Sequence, residues 1–438
     1  PLVDVRVRPR GVRVVPKILP FDFEDVNGTI DVRAGEPERV ELTARLGRAE
    51  IEIKRDKRLE EFSEPGTSVF TVKAKGIRPE ELAHAPGDFA KTVKDFDIRG
   101  SVDLNVSVAI PSDERAKQHF VAELKTSDFA VTSGIRFEKA RGTLRVAGSV
   151  AKFEPLELEG TLALESAEWK QQQLLEGRIP VRLRDGLLQI GTAREPFEAK
   201  LYGGLFRGRV TSNLKTAVYQ GALYLERGEL KLAADQLAKL GEKADKNQPK
   251  QGGTGPVKGG LTARLDFQGG GVSPDGRPIG LSGDAVVLAS NANFIPVPFV
   301  LGGFVDIVKG ATRGDSSFDP KTFDKLYTKM RLKPARIEIE LFQLASDTLT
   351  LRGTGGRLDW DGGIELDLLP YKTGAVFDEI FKQFVAVRVR GTVQSPETNE
   401  IPLYNGLENA WNFIRSAFSS AGSTERVGEN VPSTAPPR

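Results

Sequence analysis

The sequence predicts a mainly β protein, built as an elongated and curled antiparallel sheet with a few short amphipathic helices. Apolar and polar residues alternate with a period of two along most of the 438 residues, which places every second side chain on one face of a strand. The polar phase is charged, as is typical of antiparallel sheets that have one face in water. The 46 glycines fall largely at the ends of the alternating stretches, where hairpins need residues that tolerate positive φ.

Four stretches show the alternation most clearly, and their apolar phase is the candidate functional face. These residues are Val102, Leu104, Val106, Val108 and Ile110; Leu261, Leu265 and Phe267; Ile337, Ile339 and Leu341; and Ile364, Leu366 and Leu368. Polar residues such as Asp103 and Asp266 occupy the other phase. A sheet of more than about ten strands must curl, split or stack. The apolar phase therefore either packs as a sandwich or lines a groove filled by an apolar ligand, and periodicity alone favours the sandwich.

A repeated motif indicates internal duplication. Residues 23–32 and 137–146 share Phe, Glu, Gly, Thr and Val at the same positions, and each copy is followed by another apolar alternation. The spacing predicts a multi-strand unit of roughly 115 residues that occurs twice.

The chain is predicted to contain five segments. They are a repetitive β segment (1–240), a Gly- and Lys-rich loop or linker (241–260), a C-terminal β module (261–405), an amphipathic helix (406–420) and a disordered polar tail (421–438). Two further helices are predicted at 322–329 and 376–384, the first from Asp319-Pro320 as its cap. No stretch reaches the roughly 18 to 20 apolar residues of a membrane-spanning helix, so we expect any anchor to lie outside this chain.

The helix at 406–420 carries one apolar stripe, formed by Leu407, Trp411, Ile414 and Phe418. We expect this stripe to contact an end of the groove or a membrane surface, because Trp suits an interface that is apolar on one side and wet on the other.

Composition and motifs argue against several functional classes. The 62 Lys and Arg residues nearly balance the 60 Asp and Glu residues, so nothing favours nucleic acid as a partner. The absence of cysteine excludes thiolate zinc sites and thiol nucleophiles. His84 and His119 lack ligand spacing, and the Gly314-Asp315-Ser316 segment has no histidine partner. We therefore expect a non-enzymatic protein without a metal or another cofactor.

Residues 198–210, which read EAKLYGGLFRGRV, resemble the strand-turn-strand signature of the AsmA family of bacterial envelope proteins. The order of the downstream segments is similar to the C-terminal module of that family. These segments are residues 322–326, 337–344, 349–355, 358–360 and 364–368, with a closing strand at 385–392. The resemblance covers roughly residues 196–402.

The resemblance implies a U-shaped hydrophobic groove that moves phospholipid between the inner and outer membranes. It implies a periplasmic location, with an N-terminal anchor in the inner membrane. Acyl chains would lie along the apolar phase, each buried methylene contributing about 0.8 kcal/mol. The expected partners are a phospholipid or another acyl lipid, a membrane surface and envelope proteins. The alternatives are a scaffold that assists outer-membrane assembly through protein contacts, and an exported enzyme that acts on polysaccharide through surface carboxylates.

Overall fold

The computed structural model describes residues 4–14, 23–33, 36–61, 66–82, 97–112, 116–133, 135–151, 154–169, 172–241, 258–270, 280–290, 324–347, 349–360, 362–372, 385–391 and 396–402. Strands account for most of these residues, and the strands pair in the antiparallel sense. The predicted fold class, mainly β with antiparallel pairing and few short helices, is confirmed.

The strands are β1 (Val5–Val7), β2 (Val12–Val14), β3 (Phe23–Arg33), β4 (Glu36–Leu46), β5 (Ala49–Arg55), β6 (Thr67–Ile77), β7 (Val102–Pro111), β8 (Gln118–Ser133), β9 (Ile135–Ala151), β10 (Glu154–Trp169), β11 (Gln172–Arg184), β12 (Leu187–Ile190), β13 (Phe197–Leu201), β14 (Gly204–Asn213), β15 (Val218–Glu229), β16 (Gly260–Gly270), β17 (Ser282–Ser290), β18 (Lys325–Leu332), β19 (Arg336–Ala345), β20 (Leu349–Gly353), β21 (Gly356–Asp359), β22 (Ile364–Lys372), β23 (Val385–Gly391) and β24 (Pro396–Pro402). The helices are α1 (Lys57–Glu60) and α2 (Leu230–Gly241), with a 3₁₀ turn at Pro79–Leu82.

The chain divides into two compact units. The N-terminal unit comprises Pro1–Lys200, Arg209–Ala217 and Pro274–Arg277, and the C-terminal unit comprises Leu201–Gly208, Val218–Ser273 and Pro278–Arg438. This division lies upstream of the predicted linker.

The N-terminal unit is a meander in which every strand from β3 to β11 pairs with the next strand along the chain. The short strands β1 and β2 both pair with the outer edge of β3. In the C-terminal unit, β15 to β19 form a second meander. Strands β20 and β21 both pair with β19 on one side and with β22 on the other, and β23 and β24 follow.

Backbone geometry explains the repeated motif. Its third position, Asp25 in β3 and Lys139 in β9, has a positive φ of 50° and 51°, which marks a bulge in both strands. The shared glycine is required by close backbone approach. A Cβ on Gly28 would lie 2.1 Å from the carbonyl oxygen of Glu41, and one on Gly142 would lie 2.5 Å from that of Ala163. The two copies therefore share a local structure as well as a sequence.

The helix predicted at 322–329 is wrong, because residues from Lys325 onward form strand β18 between β17 and β19. Thr328 and Leu332 are buried, whereas Lys329 and Arg331 between them are exposed. Burial therefore alternates with a period of two, as in a strand. Asp319-Pro320, the predicted cap, lies outside the described residues. Helix α2 was not predicted and ends where the predicted linker begins. The predicted helices at 376–384 and 406–420 and the tail at 421–438 also lie outside the described residues.

Candidate functional site

The strand register of the N-terminal unit aligns apolar side chains into three rows that run across the strands, and we call these rows the apolar face. The first row is Ala44, Ile51, Ala74, Leu104, Leu124, Leu144, Leu162 and Ile179; the second is Leu42, Ile53, Val72, Val106, Ala122, Val146, Gly160 and Val181; the third is Phe70, Val108, Phe120, Gly148, Leu158 and Leu183. Directly opposed residues of one face are close enough to pack. Each row is therefore a continuous apolar strip across several strands.

Most of the larger side chains of the apolar face keep contact with solvent, whereas Ile51 is buried in a core cluster with Ala44 and Ala74. Leu104, Leu124, Leu144 and Leu162 are half-buried, as are Phe70, Val108, Phe120, Leu158 and Leu183 of the third row. The smaller side chains between them, Ala122 and Val146, are buried. The large residues thus shield the small ones, while their own tips remain accessible. A broad accessible apolar surface of this kind usually marks a binding site for an apolar partner.

The predicted residues of β7 lie on this face together. Leu104, Val106 and Val108 belong to the three rows, and Val102 and Ile110 share their phase at the two ends of the strand. Val102 is buried and the other four are half-buried, whereas Asp103 on the other phase is exposed. Contact of these residues with lipid stays a prediction.

The opposite face of the N-terminal unit is charged. Arg145 of β9 donates to Glu123 of β8 at 2.8 Å, and Arg182 of β11 pairs with Glu159 of β10 at 2.8 Å. The hydrogen bond from Arg145 holds the pKa of Glu123 below its usual range. Exposed ion pairs of this kind are typical of a solvated surface. One face of this sheet is therefore apolar and the other is charged.

The C-terminal unit buries a large part of its predicted apolar phase. Ile339, Leu366 and Leu368 are buried and pack with Val389 in one core cluster. These predicted lining residues are core residues, so a ligand could reach them only if the core opened. Leu261, Leu265, Phe267, Ile337 and Ile364 are half-buried.

Leu341 lies on the wrong phase for the predicted face. A bulge in β19 inserts one residue, because Lys329 opposes Leu341 while the next residue, Met330, opposes Ile339. The side chain of the extra residue, Glu340, pairs with Lys329 at 3.2 Å on the charged face. Beyond the bulge, Phe342 and not Leu341 packs with the core cluster of Ile339. A strict alternation cannot detect an inserted residue of this kind.

The candidate metal ligands of the sequence are not brought together in the described residues. Among them there is no group of three or more His, Cys, Asp or Glu side chains that could hold a metal ion. His119 is exposed on the charged face, where it opposes Ala109 and Ser149. His84, Gly314-Asp315-Ser316 and the stripe of Leu407, Trp411, Ile414 and Phe418 lie outside the described residues.

The structure also brings together charged residues that the sequence did not single out. Arg55 donates to Glu60 at 2.6 Å, and the side chains are only 14 % and 16 % exposed. Glu60 also accepts from the backbone N–H of Val69 at 3.0 Å, so it ties α1 to β6. These bonds, led by that from Arg55, lower the pKa of Glu60. The pair links residues from different elements, which no sequence spacing indicates.

Comparison of the chain with protein-family models, with curated proteins and with solved structures finds no match. The resemblance to the AsmA family therefore depends on the motifs and their order alone. In the part of the chain that the structure describes, no helix has the length and apolar character needed to cross a bilayer.

Proposed function

We propose that this chain is a non-enzymatic lipid-binding segment of a periplasmic, inner-membrane-anchored cell-envelope protein. It carries phospholipid acyl chains along the apolar face of its N-terminal unit, between the inner and outer membranes. The observation that carries this proposal is the set of large apolar side chains, aligned across strands, that remain half-buried. Each methylene that an acyl chain buries there contributes about 0.8 kcal/mol without any catalytic group.

The dimensions of the apolar face suit an acyl chain. The part of the first row outside the buried core cluster runs from Leu104 on β7 to Ile179 on β11, and four strand spacings of about 4.8 Å give it a length of roughly 19 Å. The hydrocarbon core of a bilayer is about 30 Å thick and contains two leaflets, so a single acyl chain is shorter than the row. The charged opposite face keeps the sheet wetted while the apolar face is occupied.

Native mass spectrometry of gently purified protein tests the proposal. We expect the protein to retain phospholipid masses that are lost after exchange into detergent, and the same lipids to be absent from a Leu104→Asp variant. A wild-type chain that is free of lipid, and that takes up none from vesicles, would leave the scaffold function as the better proposal. Turnover of polysaccharide by the lipid-free chain would favour the enzyme.

A further inference from the structure

A cavity of about 510 Å³ in the N-terminal unit is lined by charges of both signs. Its cations are Arg78, Arg99 and Lys139, and its carboxylates are Glu80, Asp128 and Glu138. This volume lies within the range of small-molecule sites, about 300 to 1,000 Å³. The charges of the lining sum to zero, so the cavity suits a ligand that itself carries both signs.

The backbone fixes one wall of the cavity. Arg99 and Ala130 exchange two backbone hydrogen bonds, of 3.0 and 2.9 Å. The carboxylate of Glu80 accepts from the N–H of Gly100 at 3.2 Å. Gly100 has a φ of 116°, and a Cβ there would lie 2.0 Å from the carbonyl oxygen of Asp128. Only glycine permits this approach, so the segment before β7 is held close against β8.

Bulges supply the other wall. The β8–β9 register is irregular between Thr126 and Phe129, and Lys139 has a positive φ of 51°. Bulges change the direction of side chains next to them and are frequent beside functional sites. Here they accompany Asp128, Glu138 and Lys139, all of which line the cavity.

One cation and one carboxylate of the cavity remain available to a ligand. Arg99 pairs with Asp97 at 2.7 Å, and Lys139 pairs with Glu168 at 2.9 Å. Arg78 and Asp128 form no ion pair with any other residue that the structure describes, and both are exposed. A ligand phosphate can take the guanidinium of Arg78 in a two-pronged contact, and a ligand ammonium can donate to the carboxylate of Asp128.

Two residues that line the cavity directly follow or precede, in sequence, residues of the apolar phase. Ile77 of β6 and Val102 of β7 are directly paired, and the residues next to them, Arg78 and Ser101, line the cavity. We propose that the cavity binds the headgroup of a phospholipid that carries both a phosphate and a primary ammonium. This inference rests on the proposed function, because the acyl chains of the same lipid would lie on the apolar face.

Binding of single-chain lipids with one tail and different headgroups tests the proposal. The full chain would be titrated, below the micelle concentration, with lysolipids that carry phosphoethanolamine, phosphocholine or phosphoglycerol. We expect phosphoethanolamine to bind about tenfold more tightly than the other two, since a quaternary ammonium cannot donate and a phosphoglycerol lacks the cation. Asp128→Asn should reduce this preference to within about twofold, whereas Arg78→Gln should weaken the binding of all three lysolipids, because each of them carries the phosphate.

Matched variants at exposed positions of the same unit, Arg194→Gln and Asp185→Asn, should keep the tenfold preference. Arg78→Lys retains the charge without the planar fork and should keep part of the affinity for all three lysolipids. Circular dichroism of each variant establishes that the sheet is intact.

The outcomes separate the two proposals. Equal binding of the three lysolipids, with affinity that follows tail length, would overturn the headgroup site and leave lipid binding on the apolar face. Binding of none of them would overturn both. If tail-free glycerophosphoethanolamine bound as tightly as the lysolipid, the ligand would be a soluble phosphorylated amine, and the lipid assignment of the cavity would fail.

Discussion

The two units use the same apolar alternation but bury it to different extents. In the C-terminal unit, Leu351, Leu368 and Val389 are 0 %, 1 % and 1 % exposed. In the N-terminal unit, the leucines at the centre of the apolar face, Leu124 and Leu144, are half-buried. Period-two alternation is present in both places, so it identifies which side chains share a face and not whether that face is covered.

The second phase of the strand carries a distinguishing signal at one place only. In β22 the adjacent residues Leu368 and Leu369 are both buried, so both faces of this strand are covered. In β9 the neighbours of Leu144 are Thr143, which is half-buried, and Arg145, which is exposed. Apolar residues on both phases thus mark β22 as covered on both faces at Leu368 and Leu369, whereas elsewhere in the C-terminal core a buried residue such as Leu366 is flanked by the charged Glu365 and Asp367.

The largest expected effect is on stability, and its absence would contradict the difference in burial between the two units. Leu368→Ala should lower the free energy of unfolding by about 2 to 5 kcal/mol, because it leaves a cavity in a closed core. Leu124→Ala should cost less than about 1.5 kcal/mol, because its side chain is only half-buried. Denaturant unfolding of both variants measures the difference. Equal losses would show that the apolar face is as closed as the C-terminal core.

The second effect concerns lipid binding and sharpens the contrast between the phases. Leu104→Asp should weaken binding of a fluorescent acyl lipid by about tenfold or more, because a carboxylate on an apolar contact surface is costly. Asp103→Leu, on the charged face of the same strand, should change binding by less than about twofold. In the C-terminal unit, Leu265 packs against the core cluster of Leu281 and Leu332, so Leu265→Asp should lower stability and Asp266→Leu should not. Equal losses from both phases would contradict the assignment of the apolar face.

A third, smaller effect depends on pH and is local to the N-terminal unit. The pKa of Glu60 in the folded state lies below its unfolded value of about 4.3. The stabilisation that ionised Glu60 gives the folded state is therefore complete above the unfolded pKa and is lost as the pH falls through the folded pKa. Hydrogen exchange at the amide of Val69, which donates to Glu60, should accelerate as the solution is acidified. Glu60→Gln should remove this pH dependence.

The smallest expected effect is on the charged face. Glu159→Gln breaks the pair with Arg182, whose side chains are 69 % and 46 % exposed. Exposed pairs of this kind contribute little, so the thermal midpoint and lipid binding should stay unchanged within error. A clear loss of lipid binding would indicate that the charged face takes part in function.

The sequence predicts the antiparallel fold class and the phase of most strands, because both depend on local alternation. It does not predict Glu340 as an inserted residue, since a bulge becomes visible only when the partner strand is known. The helix expected at 322–329 failed for a related reason. A short segment with apolar residues at mixed spacing fits both periods, and pairing with β17 and β19 decides in favour of a strand.

The charged cavity could not be predicted, because its residues come from four separate segments that only the register brings together. The burial of Leu368 was equally hidden, although the adjacent Leu369 is the signal that could have indicated a strand covered on both faces.

Nearest-neighbour pairing in the N-terminal unit has a consequence for how such a chain can change in evolution. Within the described residues, each strand from β4 to β10 pairs only with its sequence neighbours, so this part of the unit resembles a one-dimensional array of hairpins. Gain or loss of a whole hairpin would alter the length of the apolar face by about 10 Å and leave the phase of every other strand intact. Deletion of one residue within a strand would instead invert the phase of all residues beyond it. Selection on the length of the apolar face can therefore act through the number of hairpins, whereas the register within each hairpin is constrained.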